Sequence, residues 1–287
     1  AVAAMAAPLL RALGFCGVDD SVDSELLELV SRRYDRVEWA VLFHPEKQGT
    51  PRVPSHAWVE RLAMRQQRCG RHMHLAAHLC AGRCMDVLEG DFTFLGRLVE
   101  WGFGRIQINA TAANGVAVDS DRTQYYVTNL LACARARPEL ELIMQCNEET
   151  WPIWTSLQRA LEKTLDADCY SSCNVSFLLD ASCGKGIAIS SFDPPFERFR
   201  TGYAGGIGPA TISATLDGIA GAAGTSVVWI DMESSLREKV VLESGELQDV
   251  FSINKAFECI RACVEKGVAL SSPGDEGITN GDGQKRP

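Results

Sequence analysis

Gly14-Phe15-Cys16-Gly17-Val18, followed by Asp19-Asp20-Ser21-Val22-Asp23 and Ser24-Glu25-Leu26-Leu27-Glu28-Leu29-Val30, is the stretch whose reading decides the fold. A short apolar run ends in a cysteine. A glycine lets the chain turn sharply, and a helix start follows at once. A strand that ends in a reactive side chain, then a loop, then a helix, is how an α/β enzyme presents that side chain.

The same unit recurs along the chain. The first helix is expected to run to about Arg33. Val37 to Phe43 reads as a buried strand ending in His44-Pro45, and Ser55 fits the N-cap of a helix through Arg68. Further strands are expected at His74 to Leu79, Arg105 to Asn109, Leu140 to Cys146, Val175 to Asp180, Gly202 to Ala204 and Ser226 to Asp231. Helices are expected at Asp91 to Trp101, Tyr125 to Arg137, Trp151 to Leu165, Pro209 to Ile219 and Val250 to Glu265. Pro138 stops one of these, and Pro152 sits in the first turn of the next. Such alternation implies a parallel sheet, and eight units in about 250 residues fit a closed α/β barrel, (β/α)₈, better than an open sheet. One such domain is expected over 10–270, with a disordered Gly/Asp/Ser/Pro-rich tail over 271–287.

Composition narrows the function. The 287 residues are 46% hydrophobic and 23% charged, with no apolar run of membrane-spanning length. The net charge of −9 argues against a nucleic-acid partner, and no membrane partner is expected. Eleven cysteines, an odd count without a Cys-x-x-Cys pair, read as reduced thiols of a cytoplasmic protein. The opening Ala1 to Pro8 lacks the basic region and apolar length of a signal peptide.

In a barrel, catalytic groups stand at the C-terminal strand ends. These nominate Cys16, His44, His78 or Cys80, Asn109, Asn147, Asp180, Gly205-Gly206 and Asp231. Cys16 and Asp180 can work as base and acid across a substrate, provided that a helix N-terminus or a cation lowers the thiol's pKa. Taken singly, Cys16 is more often a packed core thiol and Asp180 a loop-ordering residue. Gly205-Gly206-Ile207-Gly208-Pro209, in the seventh unit, and Ser234-Ser235, after the eighth strand, have the glycines and hydroxyls of a phosphate site. Lys185, between Gly184 and Gly186, reads as a hinged lid with a cation or as a solvated loop. His72, His74, His78, Cys80 and Cys84 form the one candidate metal cluster. Ligands along one strand diverge, so no metal and no cofactor are expected.

The ordered set of motifs resembles phosphoribosylanthranilate isomerase, a (β/α)₈ enzyme of tryptophan biosynthesis. The resemblance rests on Phe15-Cys16-Gly17, Phe43-His44-Pro45 with Lys47 and Arg52, Leu178-Leu179-Asp180 with Phe192-Asp193, Gly205-Gly206 with Pro209, and Ile230-Asp231 with Ser234. It implies an Amadori rearrangement of a phosphorylated aminosugar derivative, with Asp180 as acid and Cys16 as base. It further implies Arg52 on a substrate carboxylate, the backbone of Gly205, Gly206 and Ser234 on a phosphate, Asp231 among the substrate contacts, and a monomer or homodimer. The chain departs from the family at Asn109, and at Glu233, Ser235 and Arg237, where the family has a serine, a glycine and an acid. An anion at Glu233 repels a phosphate unless it points away. Two rivals stand beside this reading. One is a non-catalytic barrel that binds a phosphorylated ligand or a protein partner. The other is a metal-dependent hydrolase using His72 to Cys84.

Overall fold

The structure, a computed structural model, describes residues 6–164, 173–180, 182–183, 186 and 191–271. Eight strands close into one parallel barrel in chain order, with the last beside the first. They are β1 (Leu9–Cys16), β2 (Val37–Phe43), β3 (His74–Leu79), β4 (Arg105–Ile108), β5 (Glu141–Cys146), β6 (Val175–Leu179), β7 (Thr201–Tyr203) and β8 (Val227–Met232). Around them run α1 (Ser24–Arg33), α2 (His56–Arg68), α3 (Gly82–Leu88), α4 (Thr93–Glu100), α5 (Thr123–Ala136), α6 (Trp151–Thr164), α7 (Ile212–Ala223) and α8 (Ile253–Glu265). This is the (β/α)₈ barrel that the alternation predicts. Among the described residues no helix is long and apolar enough to cross a membrane.

Local chemistry explains the elements. Every residue of β2 is buried, as expected for a strand covered on both faces. The Asp23 carboxylate caps α1 by accepting from the Glu25 N–H, and Ser55 Oγ caps α2 by accepting from the Trp58 N–H at 3.2 Å. Gly17, at φ 84°, makes the left-handed turn after Cys16 that a side chain would resist.

The largest apolar cluster lies between barrel and helices, and includes Trp39, Phe43, Phe103 and Phe177. Inside the barrel a smaller one gathers Ala12, Ile143, Leu178, Ala204 and Trp229. Toward the N-terminal strand ends the interior is ionic. Arg105 reaches Glu38 at 2.7 Å and Glu141 at 3.3 Å, and its guanidinium lies 4.5 Å from the Trp229 ring centroid.

Three stretches differ from expectation. The helix α3 follows β3 directly and has no side-chain cap; burial of Cys84, Val87 and Leu88 holds it. Asp91 precedes α4 and accepts from the Thr93 N–H at 2.8 Å, so the expected helix start is a turn. The last helix begins at Ile253, because Val250 belongs to an antiparallel hairpin of β9 (Arg237–Val241) and β10 (Leu247–Phe251). The Lys185 loop and the tail beyond 271 lie outside the described residues.

Candidate functional site

The C-terminal ends of the strands surround a cavity of about 50 Å³, whose lining includes His78, Gln107, Asn109, Gln145, Asp180, Gly205, Gly206, Asp231, Glu233 and Ser234. That volume holds a few waters or one small polar head group.

Cys16, the last residue of β1, is fully buried and stands behind the lining. Its Sγ lies 3.1 Å from His78 Nδ1 and 4.0 Å from Glu233 Oε2. Both of those residues face the cavity, so Cys16 reaches it through them. The lowering of the thiol pKa that a base role requires is not found. Burial pushes it well above its usual value, and Glu233 and Asp231 add to the rise. Burial, helped by Arg105, takes His78 the other way, down to about 3. At neutral pH the pair is therefore an uncharged thiol against an uncharged imidazole.

Asp180 follows β6 and is held on several sides. It accepts from Gln145 Nε2 at 2.6 Å, from the Ser182 N–H at 3.1 Å and from Ser182 Oγ at 2.5 Å. Asp231, on β8, is buried where a Cβ on Gly14 would stand 2.8 Å from its Oδ1, so the bare Gly14 backbone makes room for it. Burial, then Glu38 and Glu233, raise Asp231 well above its usual value, so it holds its proton more firmly than an ordinary carboxyl.

Arg52, nominated to hold a substrate carboxylate, holds protein carboxylates instead. Its Nη1 donates to Glu233 Oε1 at 3.1 Å and to Ser234 Oγ at 3.3 Å. Its Nε lies 3.5 Å from Asp249 Oδ2, on β10. Its own backbone, at φ 75°, donates to Asp19 Oδ2 at 2.7 Å. Glu233 thus points inward, between Arg52 and Cys16. Burial raises its carboxyl above the usual value, and Arg52 opposes the rise. Arg237 is buried beneath, with bonds to Asp19 at 2.8 Å, to Asp249 Oδ1 at 3.1 Å and to the Gly17 carbonyl at 2.7 Å.

Gly205 and Gly206, at φ 112° and 60°, line the cavity as expected for a glycine loop. The rest of that loop is bonded to itself. Thr211 Oγ1 accepts from the Gly208 N–H at 3.0 Å and donates to the Gly206 carbonyl at 2.9 Å. Ser235 Oγ donates to the Ile207 carbonyl, and its Cβ stands 2.3 Å from where a Cβ on Gly208 would be.

Other nominated residues separate. His44 lines an outer apolar cavity of about 210 Å³ with Phe43, Phe94 and Trp101. Asn147 caps the turn into α6, accepting from the Thr150 N–H at 3.0 Å. His74 is exposed at the start of β3 while His78 is buried near its end, and among the described residues no three His, Cys, Asp or Glu converge as metal ligands. Strand geometry is the reason: four residues span about 13 Å. Conversely, Gln107 and Gln145 face the site without having been nominated. Each is one inward-facing position below a strand end, and the two-residue period of the strands could have found them.

No protein-family model matches the sequence, and no curated protein matches it. Solved structures with some likeness include a GH113 beta-1,4-mannanase, at 9% identity over 91% of this chain and 99% of that one, with a TM-score of 0.44. Oxaloacetate acetylhydrolase is 11% identical over 93% of this chain and 86% of its own, with a TM-score of 0.39. The bifunctional proline utilization A (PutA) protein is 14% identical over 91% of this chain but 28% of its own, with a TM-score of 0.35. Likenesses this weak say nothing of the chemistry here, and the barrel stands on its own strand order.

Proposed function

We propose that the chain is an acid/base enzyme of the aldose–ketose isomerase type, acting on a glycosylamine-like sugar derivative. The observation that carries the reading is the 3.1 Å contact of the Cys16 thiol with His78 Nδ1, on a cavity that Asp180 also lines. Asp180 gives a proton to the ring oxygen, the C1–O bond breaks, and the nitrogen lone pair forms a C1=N iminium. The base then takes the C2 proton. The C–H electron pair becomes C1=C2, the iminium pair returns to nitrogen, and the enolamine tautomerises to the ketone. Asp231, whose carboxyl is made a weaker acid by burial, lines the same cavity and offers a second proton donor.

Making the base means moving the Cys16 proton to His78. Burial and the two carboxyl groups oppose this in the resting site. A cationic iminium in the adjoining cavity offsets that opposition, so thiol ionisation is coupled to ring opening. The phosphate of the family's substrate is the part that the geometry supports least, since Glu233 faces inward and the glycine loop is bonded to itself.

The test is product formation from phosphoribosylanthranilate and from an unphosphorylated glycosylamine. Loss of either turnover by about 10²-fold or more in Cys16→Ala and in Asp180→Asn is expected. Absence of both turnovers in the unmodified protein would refute the reading. That result would favour a barrel without catalysis, for which the closing of Arg52 on Glu233 over a small cavity already speaks.

A further inference from the structure

We infer that the barrel-mouth cavity is built to seat a protonated, hydroxyl-bearing amine rather than a phosphate. The inference deepens the isomerase reading by naming what the site recognises, and it needs only that this cavity is the ligand site.

The hydrogen-bonding sense of the lining carries it. Four side-chain amides face the cavity: Gln107, Asn109, Asn114 and Gln145. Each gives one N–H of its NH₂ to a protein acceptor. Gln145 Nε2 donates to Asp180 Oδ2 at 2.6 Å. Gln107 Nε2 donates to Asn109 Oδ1 at 2.7 Å, Asn109 Nδ2 to Cys80 Sγ at 3.7 Å, and Asn114 Nδ2 to Thr111 Oγ1 at 2.8 Å. Gln107 Oε1 and Gln145 Oε1 are left without a partner among the described residues, on side chains that are 4% and 3% exposed. A buried carbonyl oxygen without a donor is costly, so a ligand that brings N–H or O–H groups gains there.

Charge points the same way. Asp180, Asp231 and Glu233 border the cavity. The guanidinium at the rim, Arg52, is already engaged by Glu233, Asp249 and Ser234. A phosphate would meet carboxyl groups and a glycine loop whose Gly208 N–H is taken by Thr211. An ammonium would meet acceptors, and it would offset the burial and the neighbouring carboxyl charges that oppose ionisation of Asp231. The volume of about 50 Å³ suits the amine end of a ligand whose remainder lies toward Arg52.

Calorimetric titration of the full chain at about neutral pH tests this with a matched pair of probes. One is an iminoribitol, whose ring carries NH₂⁺. The other is the anhydroribitol of the same shape, with a ring oxygen. Inorganic phosphate and ribose 5-phosphate are the comparators. The iminoribitol is expected to bind about tenfold or more tightly than anhydroribitol, and neither phosphate to compete with it. Glu233→Gln, at the partly exposed rim, and Asp231→Asn, in the interior, should each shrink that preference by about tenfold, with thermal unfolding confirming that the variants fold. Three results would overturn the inference: tighter binding of ribose 5-phosphate, no binding of the iminoribitol, or an amine preference unchanged in both variants. Tight amine binding without turnover sinks the isomerase and leaves this inference standing. Turnover with phosphate-selective binding does the reverse.

Discussion

Replacing Arg105 by Met tests how the polar interior is kept folded. The side chains of Arg105, Glu38 and Glu141 are 8%, 5% and 10% exposed, so this is a buried ionic cluster. Without Arg105, Glu141 keeps Arg11 at 2.5 Å and Arg200 at 3.7 Å. Glu38 loses its one ion-pair partner among the described residues. An orphaned buried charge costs about 3–5 kcal/mol, a large part of the roughly 5–15 kcal/mol that holds a domain folded. The thioether replaces the packing over Trp229, so most of the loss is electrostatic. Glu38→Leu added to Arg105→Met removes the orphan and should return most of the stability, since apolar replacement of a whole buried pair is often neutral. Urea unfolding followed by tryptophan fluorescence gives the three values needed for a cycle. A loss under about 1 kcal/mol at neutral pH, or no recovery in the double variant, would refute the reasoning. Acid adds a second check. Burial pushes the Glu141 carboxyl up, but Arg105 and then Arg11 outweigh it and hold it at about 2. A depressed carboxyl stabilises above the unfolded pKa, and that contribution fades as pH falls from about 4.5 toward 2. Arg105→Met should make this acid loss smaller.

Three further outcomes follow from the same contacts. The unfolded chain protonates His78 near pH 6.5 and the folded chain only at about 3, so stability falls as pH drops between those values; His78→Gln should flatten the dependence of the urea midpoint in that window, and the wild-type ring should show no titration by NMR between about pH 5 and 8. The buried Cys16 thiol should resist iodoacetamide at about pH 8, as read by peptide mass spectrometry, and Glu233→Gln should speed its labelling several-fold by removing a charge that opposes the thiolate. Gly202→Ala should cost about 1–3 kcal/mol or more in urea unfolding, because its Cβ would lie 2.1 Å from the Trp229 ring inside the barrel.

The barrel was legible because its signals are local. Apolar runs such as Val37–Phe43, caps such as Ser55 and the turn at Gly17 each declare themselves within a few residues. The β9–β10 hairpin was not, since its residues are largely exposed and Val250 continues the apolar spacing of the helix behind it. At the site, strand ends announced Cys16, Asp180 and Asp231, and with them the cavity. What they could not announce was charge state. A thiol that needs acidifying to act as a base stands among carboxyl groups contributed by distant strands, and Arg52 meets Glu233 across 181 positions of sequence. Such pairings depend on register around the closed ring, which no local pattern encodes.

Asp249 at the hairpin holds one arginine with each carboxylate oxygen, Arg237 through Oδ1 and Arg52 through Oδ2, while Asp19 binds the same two residues from the other side. Three loops far apart in sequence are thereby joined through one charge-balanced knot. Drift at any one of these positions removes a partner from at least one of the other loops. Positions 19, 52, 237 and 249, together with Glu233, therefore form a unit of inheritance. Descendants of this chain are expected to keep them together or to exchange them together.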